Sequence, residues 1–290
     1  MKKIDNFVAY RRIARTFTRP VFSQLAKSGN LQPVKDILLG EICPNYLESN
    51  IITLADLFNV GWDSLVDNYR NEYIYKNELV NKFIFSRHSP RTASFHSEFN
   101  VGRSIVDVAV INGTSTAYEI KTEFDSSRRL KSQTEDYLKV FDNVYVVTHP
   151  NHVARYEKEL DERVGIMTLS EKRSFAKYRE PISNIDNINS RDVFRCLRRD
   201  EYLEAMRINF GETPNLPNGL ISDHCEKFFS SLSSIEAHKI FIKCLKARTT
   251  HKKNVEFVTL LPRSLKALGY STPTSTQQKK NLLEVLVQPI

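Results

Sequence analysis

The chain has only four cysteines in 290 residues, Cys43, Cys196, Cys225 and Cys244, and no two of them form a C-x-x-C pair. That spacing excludes a zinc knuckle and a disulfide-stapled scaffold. The expectation is reduced, mostly buried thiols in a cytosolic protein. Long apolar runs are missing too. Val144-Tyr145-Val146-Val147 is among the longest, far short of the roughly 18–20 apolar residues a spanning helix needs. The segment after Met1-Lys2-Lys3 has no apolar stretch of the signal-peptide kind. A cytoplasmic protein without membrane attachment is expected. H-E-x-x-H, G-x-S-x-G and G-x-x-x-x-G-K-[ST] are all absent, which argues against zinc proteases, α/β-hydrolases and P-loop ATPases. A motor, if one is needed, has to be another chain.

What is present is ordinary in bulk and uneven in detail. The chain is 41% hydrophobic and 26% charged, so wholesale disorder and collagen-like or coiled-coil architectures are unexpected. The formal net charge is +8. Residues 1–30 carry seven Lys/Arg against one Asp, and residues 239–271 carry eight against one Glu. Residues 76–150 are nearly balanced, at ten against nine. Basic flanks of this kind suit contact with a phosphate backbone, and Lys252 and Lys253 are candidates for it. Solvated helix faces are the bland alternative.

Residues 1–90 read as helical. Trp62, Leu65, Val66, Tyr69, Tyr73, Val80, Phe83 and Ile84 recur at mostly three- and four-residue spacing, an apolar helix stripe. His88-Ser89-Pro90 ends it. The pattern then changes. Ser104–Ile111 is short and β-branched, Asn112-Gly113 is a hairpin signal, and Thr116–Lys121 reads as the returning strand. Asp125 is expected to cap a helix containing Leu130, Gln133, Tyr137 and Leu138. Val144–Thr148 suits a central strand covered on both faces. A helix near 151–162 and a strand at Val164–Leu169 follow. This order predicts an α/β fold, a restriction-endonuclease-like mixed central sheet flanked by helices, with helical N- and C-terminal additions. The expected division is a helical region at 1–75, the core at 76–182 and a helical region at 183–290, with Ser271–Gln278 loosely held.

The chemistry concentrates in residues 98–137. Asp107 interrupts an apolar strand, and Glu119 and Lys121 project from one face of the next. A three-residue hairpin loop, with Ile111 opposite Ser115, would set Asp107 opposite Glu119 and on the same face. Two facing carboxylates repel, and burying either one unpaired is costly. A hard divalent cation relieves both problems: Mg²⁺ is typically held by one or two carboxylates, waters and phosphate oxygens. Gln133 and Tyr137, four apart, share a helix face. The alternative is a Glu119–Lys121 surface pair with Asp107 at a strand edge.

The segment Asp107…Glu119-Ile120-Lys121 resembles the D-(x)n-(D/E)-x-K signature of the PD-(D/E)xK nuclease superfamily. Gln133…Tyr137 is similar to the Q-x-x-x-Y element of its RecB-type branch. The run from Tyr118 through Asp125, with Arg129-Leu130, Gln133, Tyr137 and Phe141-Asp142, resembles a family of uncharacterised bacterial proteins in that superfamily. The likeness covers residues 75–170; Val106 stands where the name-giving proline would be. The resemblance implies an Mg²⁺-dependent deoxyribonuclease, with Mn²⁺ as a substitute. Asp107, Glu119 and the Ile120 carbonyl would bind the metal. Lys121 would act on the water or transition state, Gln133 would orient the strand and Tyr137 would support it. Either Glu98 or Glu78 would supply a third carboxylate. Arg128 and Arg129 are candidates to face phosphate. The implied partners are DNA, a second copy in a homodimer, and a separate motor or defence-system chain; phage defence or a mobile element is the implied setting. The competing classes are an inactive nuclease-fold protein that binds nucleic acid or a protein partner, and a helical interaction protein with an incidental core.

Overall fold

Six strands line up in a single sheet in chain order, and the connection between neighbours decides how each pair runs. In the computed structural model, which describes residues 2–42 and 51–290, β1 (Ser94–Val101), β2 (Ser104–Asn112) and β3 (Thr114–Lys121) are joined by tight turns and pair antiparallel. Helical crossovers then carry the chain to β4 (Asn143–Thr148) and β5 (Gly165–Leu169), which pair parallel. β6 (Phe175–Arg179) returns antiparallel at the edge. The protein is therefore mixed α/β, a six-stranded mixed sheet flanked by helices, as the element pattern predicts.

The chain groups into two units, Thr92–Ser170 with Phe175–Thr250, and Met1–Arg91 with Glu171–Ser174 and His251–Ile290. The boundaries thus differ from the expected three consecutive segments. Residues 183–250 belong with the sheet, and 251–290 belong with the N-terminal helices. The reason is packing. In the sheet unit, α6 (Leu130–Leu138), α7 (Val153–Glu159), α8 (Ser190–Cys196), α9 (Arg199–Phe210), α10 (Asn218–Phe229) and α11 (Ser234–Thr249) share one apolar core with the strands. Phe99 of β1 and Phe141, after α6, each meet Phe241 of α11 edge-on, at centroid distances of 6.0 and 5.5 Å. Ser233 closes a capping box with Glu236 and so fixes the start of α11. β4 is buried along five of its six residues, as expected of a strand covered on both faces.

The helical unit contains α1 (Lys2–Thr16), α2 (Arg19–Ser28), α3 (Gln32–Glu41), α4 (Leu54–Asn68) and α5 (Glu72–Leu79) from the N-terminal side. From the C-terminal side come α12 (Lys252–Leu260), α13 (Lys266–Ser271) and α14 (Thr276–Leu286). Its core joins Phe22, Leu25, Phe58 and Trp62 to Phe257, Val258, Leu282 and Val285. The apolar stripe from Trp62 to Ile84 does not run along one helix. It breaks at Asn71, whose side chain caps α5 by accepting the Ile74 N–H, and α5 then widens into a π-helical turn at Val80–Ser86. Ser271–Gln278 is held more firmly than expected, because Ser275 and Gln278 form a capping box on α14 and Thr272 is buried. Among the described cysteines, all free, Cys225 is buried and Cys196 and Cys244 are half-buried; Cys43 lies outside the described residues.

Gly165 marks a place where backbone must come close. A Cβ there would lie 2.7 Å from the Tyr145 ring and 2.9 Å from the Arg179 carbonyl oxygen. The ring cannot swing aside. It stacks on Tyr118 at 5.5 Å, and its hydroxyl donates to Glu180 at 2.5 Å. Gly165→Ala is expected to cost about 1–3 kcal/mol, the usual price of overpacking. Urea denaturation checks this; a midpoint unchanged from wild type would refute it.

Candidate functional site

The hairpin register is the one the turn implies. Ile111 stands opposite Ser115 and Val108 opposite Tyr118, with Gly113 at φ 77° in the turn. One step further, Asp107 would face Glu119, and there the ladder stops. The Ile120 N–H, which a continued ladder would give to a β2 carbonyl, is instead taken by Asp107 Oδ2 at 2.7 Å. The carboxylate holds the two strands together where their backbones no longer pair.

Glu119 and Lys121 share a face, as period-two alternation requires. Lys121 Nζ donates to Glu119 Oε1 at 2.7 Å and to Gln133 Oε1 at 3.3 Å. The Tyr137 hydroxyl donates across two acceptors, Glu119 Oε2 at 2.7 Å and the Ile105 carbonyl at 2.6 Å. Glu119 is 1% exposed, and both of its oxygens are engaged. Burial, then the charge of Glu119 beside it and of Asp107 further off, push the Tyr137 phenol far above its ordinary value. Tyr137 therefore stays protonated and acts as a donor. An ammonium has three protons; two are committed to Glu119 and Gln133, which leaves one for an incoming oxygen. Thr148 of β4 donates to the Lys121 carbonyl at 2.8 Å and fixes the end of β3.

The structure thus brings together Asp107, Glu119, Lys121, Gln133 and Tyr137, with the Ile120 peptide between the carboxylates. Glu98 is at the register position opposite Asp107 on β1, but its backbone is left-handed (φ 54°), it drops out of the ladder and its side chain is exposed. Arg128 and Arg129 lie exposed on the loop before α6. Asp125 is not a helix cap. Its Oδ2 accepts from the Thr122 N–H and hydroxyl at 2.8 and 2.7 Å and closes a turn, and α6 starts only at Leu130.

Glu78 belongs to the helical unit. It is 7% exposed, not a solvated helix-face residue, and its Oε1 has no hydrogen-bond partner. Burial raises its carboxyl to about 7, against the pull of Arg173 and Arg263. Those arginines spend their donors elsewhere. Both pair with Asp63, at 2.7 and 2.5 Å, and each guanidinium lies 5.1 Å over the Trp62 ring. No sequence signal announced this cluster, since Asp63, Glu78, Arg173 and Arg263 are scattered along the chain.

The donor set at the hairpin suits a hard cation: two carboxylates and a backbone carbonyl, all oxygen, beside a lysine. Among the described residues no three or more His, Cys, Asp or Glu side chains gather in metal-holding geometry. An ion at Asp107 and Glu119 would therefore complete its shell with water and phosphate oxygens.

Fold and site define an α/β protein with a buried carboxylate–lysine–glutamine cluster at the point where β2 parts from β3. The sequence profile of the family described as bacteriophage P4 protein cII matches residues 66–269, well over half of the chain and the whole of the sheet unit. The chain belongs to that family. Protein cII of Enterobacteria phage P4 is 30% identical over 73 residues, which is 25% of this chain and 28% of that protein. The chain thus matches little more than a quarter of that relative's length. No solved structure matches. No described helix is long and apolar enough to cross a membrane.

Proposed function

We propose that this protein is a metal-dependent nuclease that hydrolyses phosphodiester bonds of DNA. One observation carries the reading. A buried Glu119, paired with Lys121, stands one register step beyond the last β2–β3 pair, at the position opposite Asp107, whose Oδ2 takes the Ile120 N–H. Lys121 neutralises only one of the two carboxylates, so the half-buried Asp107 nearby leaves negative charge that a cation would offset. Asp107, Glu119 and the Ile120 carbonyl would hold Mg²⁺ or Mn²⁺. When bound, the metal lowers the pKa of its water and stabilises charge on the phosphate. Lys121 presents its remaining proton to the attacking water or a phosphate oxygen. Gln133 holds that ammonium in place, and Tyr137 fixes Glu119. The phage relative fits a setting in phage defence or a mobile element.

The test is incubation with single- and double-stranded DNA and either metal, beside Asp107→Asn and Lys121→Ala. Asp107→Asn keeps an oxygen for the Ile120 N–H, so a fold defect does not mask the result. Each variant is expected to lose at least about a hundredfold in rate, the scale on which losing one electrostatic stabiliser is felt. DNA bound but uncut in every metal would instead favour a nucleic-acid-binding protein on this fold.

A further inference from the structure

The two units differ in charge in a way that neither chain end predicts alone. The helical unit holds 21 Lys/Arg against 12 Asp/Glu, and the sheet unit 21 against 22. The whole positive surplus thus belongs to the unit without the hairpin cluster. The basic stretch at 239–271 is itself divided: Lys239 to Arg248 belong to the sheet unit, where acidic residues offset them, and Lys252 onward belong to the helical unit.

Within the helical unit, hydrogen bonds draw part of that surplus together. Lys279 of α14 donates to Asn254 Oδ1 of α12 at 3.1 Å. Asn281 of α14 donates to the Ala26 carbonyl of α2 at 3.4 Å. These bonds set α2 and α12 against α14, the three helices that carry Lys27, Lys252, Lys253, Lys279 and Lys280. Lys27, Lys252, Lys253 and Lys280 are exposed and Lys279 is half-buried. The acids nearby are loosely engaged: Glu256 lies 4.0 Å from Lys252, and Glu284 lies 3.8 Å from Lys280. At such exposure these pairs hold little energy, so the lysines can exchange them for phosphate. Lys252 and Lys253 also stand in the first turn of α12, which has no acidic residue and no side-chain cap. Cations there oppose the helix dipole, so local helix stability does not explain them.

We propose that this lysine surface, built from α2, α12 and α14, is where DNA docks through its phosphate backbone, while the sheet unit contributes little to affinity. The proposal rests on DNA as the ligand, as in the nuclease reading, but not on cleavage. Each phosphate neutralised releases counterions, so log K falls with log salt by about 0.9 per contact.

The test measures anisotropy of a labelled duplex in EDTA across a salt series, in the Asp107→Asn background. Lys27→Gln/Lys252→Gln/Lys253→Gln/Lys280→Gln is expected to flatten the salt slope by about 3–4 and to weaken binding at least about tenfold at 0.1 M salt. Arginine at the same four positions is expected to restore both. Lys158→Gln/Lys227→Gln, at exposed sites on α7 and α10 of the sheet unit, is the control and should leave both unchanged. Circular dichroism checks that each variant is folded; if the fourfold variant is not, the pairs Lys252/Lys253 and Lys27/Lys280 are tested separately, each expected to flatten the slope by about 2. An unchanged slope, an equal loss in the control, or binding to anionic lipid vesicles with none to DNA overturns the proposal. Binding that behaves as expected without cleavage in metal leaves this surface standing and removes the nuclease. Cleavage with an unchanged slope does the reverse.

Discussion

Lys121→Met is expected to destabilise the protein by about 3–5 kcal/mol, while Glu119→Gln/Lys121→Met recovers most of that loss. The physics is that of a buried ion pair. Glu119 and Lys121 are 2.7 Å apart, with side chains 2% and 11% exposed. Removing only the ammonium leaves a buried carboxylate with the Tyr137 hydroxyl as its remaining neutral donor. Breaking such a pair from one side costs far more than replacing both members. The measurement is urea denaturation of the wild type, both single variants and the double, read as a double-mutant cycle. A coupling energy near zero would mean that solvent reaches Glu119 and that the cluster is not the dry site described. Asp107 offers the contrast. It is only half-buried, so Asp107→Asn should leave stability near wild type while abolishing any metal-dependent activity. A protein that loses stability at Lys121 and activity at Asp107 has both a structural pair and a reactive site in one hairpin.

The hairpin was legible because its determinants are local. Asn112-Gly113 fixes the turn, alternation assigns the faces, and together they set Asp107 against Glu119. Gln133 and Tyr137 were legible through helix periodicity. What stayed hidden is non-local or edge-like. β6 has the sequence Phe-Ala-Lys-Tyr-Arg and exposes three of its five residues, so no apolar run marks it as a strand. The break at Asn71 hides inside an unbroken apolar stripe, because a side-chain cap outweighs periodicity at that point. Asp125 reads as a cap in the sequence because an aspartate before a helix serves equally as a cap or a turn-former. The union of residues 1–91 with 251–290 is written only in the complementarity of two apolar surfaces far apart in the chain. Glu78 shows the same limit: the charges that act on its buried carboxyl come from Arg173 and Arg263, neither of them near it in sequence.

Two buried groups should make stability depend on pH in opposite senses, one in each unit. His96 is 8% exposed, and its Nε2–H donates to the Leu245 carbonyl at 3.0 Å. Burial, and then the charge of Arg248, lower it to about 3. Below its ordinary value of 6.5 the unfolded chain takes up a proton that the folded sheet unit refuses until about pH 3. Stability is therefore lost as pH falls through that window, by up to about 1.4 kcal/mol per pH unit. Burial also lowers His238, which shares a 2.7 Å contact with Ser115 Oγ and adds in the same sense. Glu78 runs the other way. Its folded carboxyl titrates near 7 against an ordinary 4.5, so the folded helical unit holds a proton that the unfolded chain has released. Stability is lost as pH rises from 4.5 towards 7 and is regained on acidification. Trp62, the single tryptophan, is in the helical unit beside Arg173 and Arg263, so its fluorescence follows that unit's unfolding. Denaturation followed at Trp62 should give a midpoint that climbs as pH drops from 7 to 5, and Glu78→Gln should flatten it. In a His96→Gln variant, the acid sensitivity of the sheet unit, followed by hydrogen exchange of the β4 amides, should shrink by about one proton. A Trp62 profile that falls on acidification, or one that Glu78→Gln leaves unchanged, would show that Glu78 is charged in the folded protein.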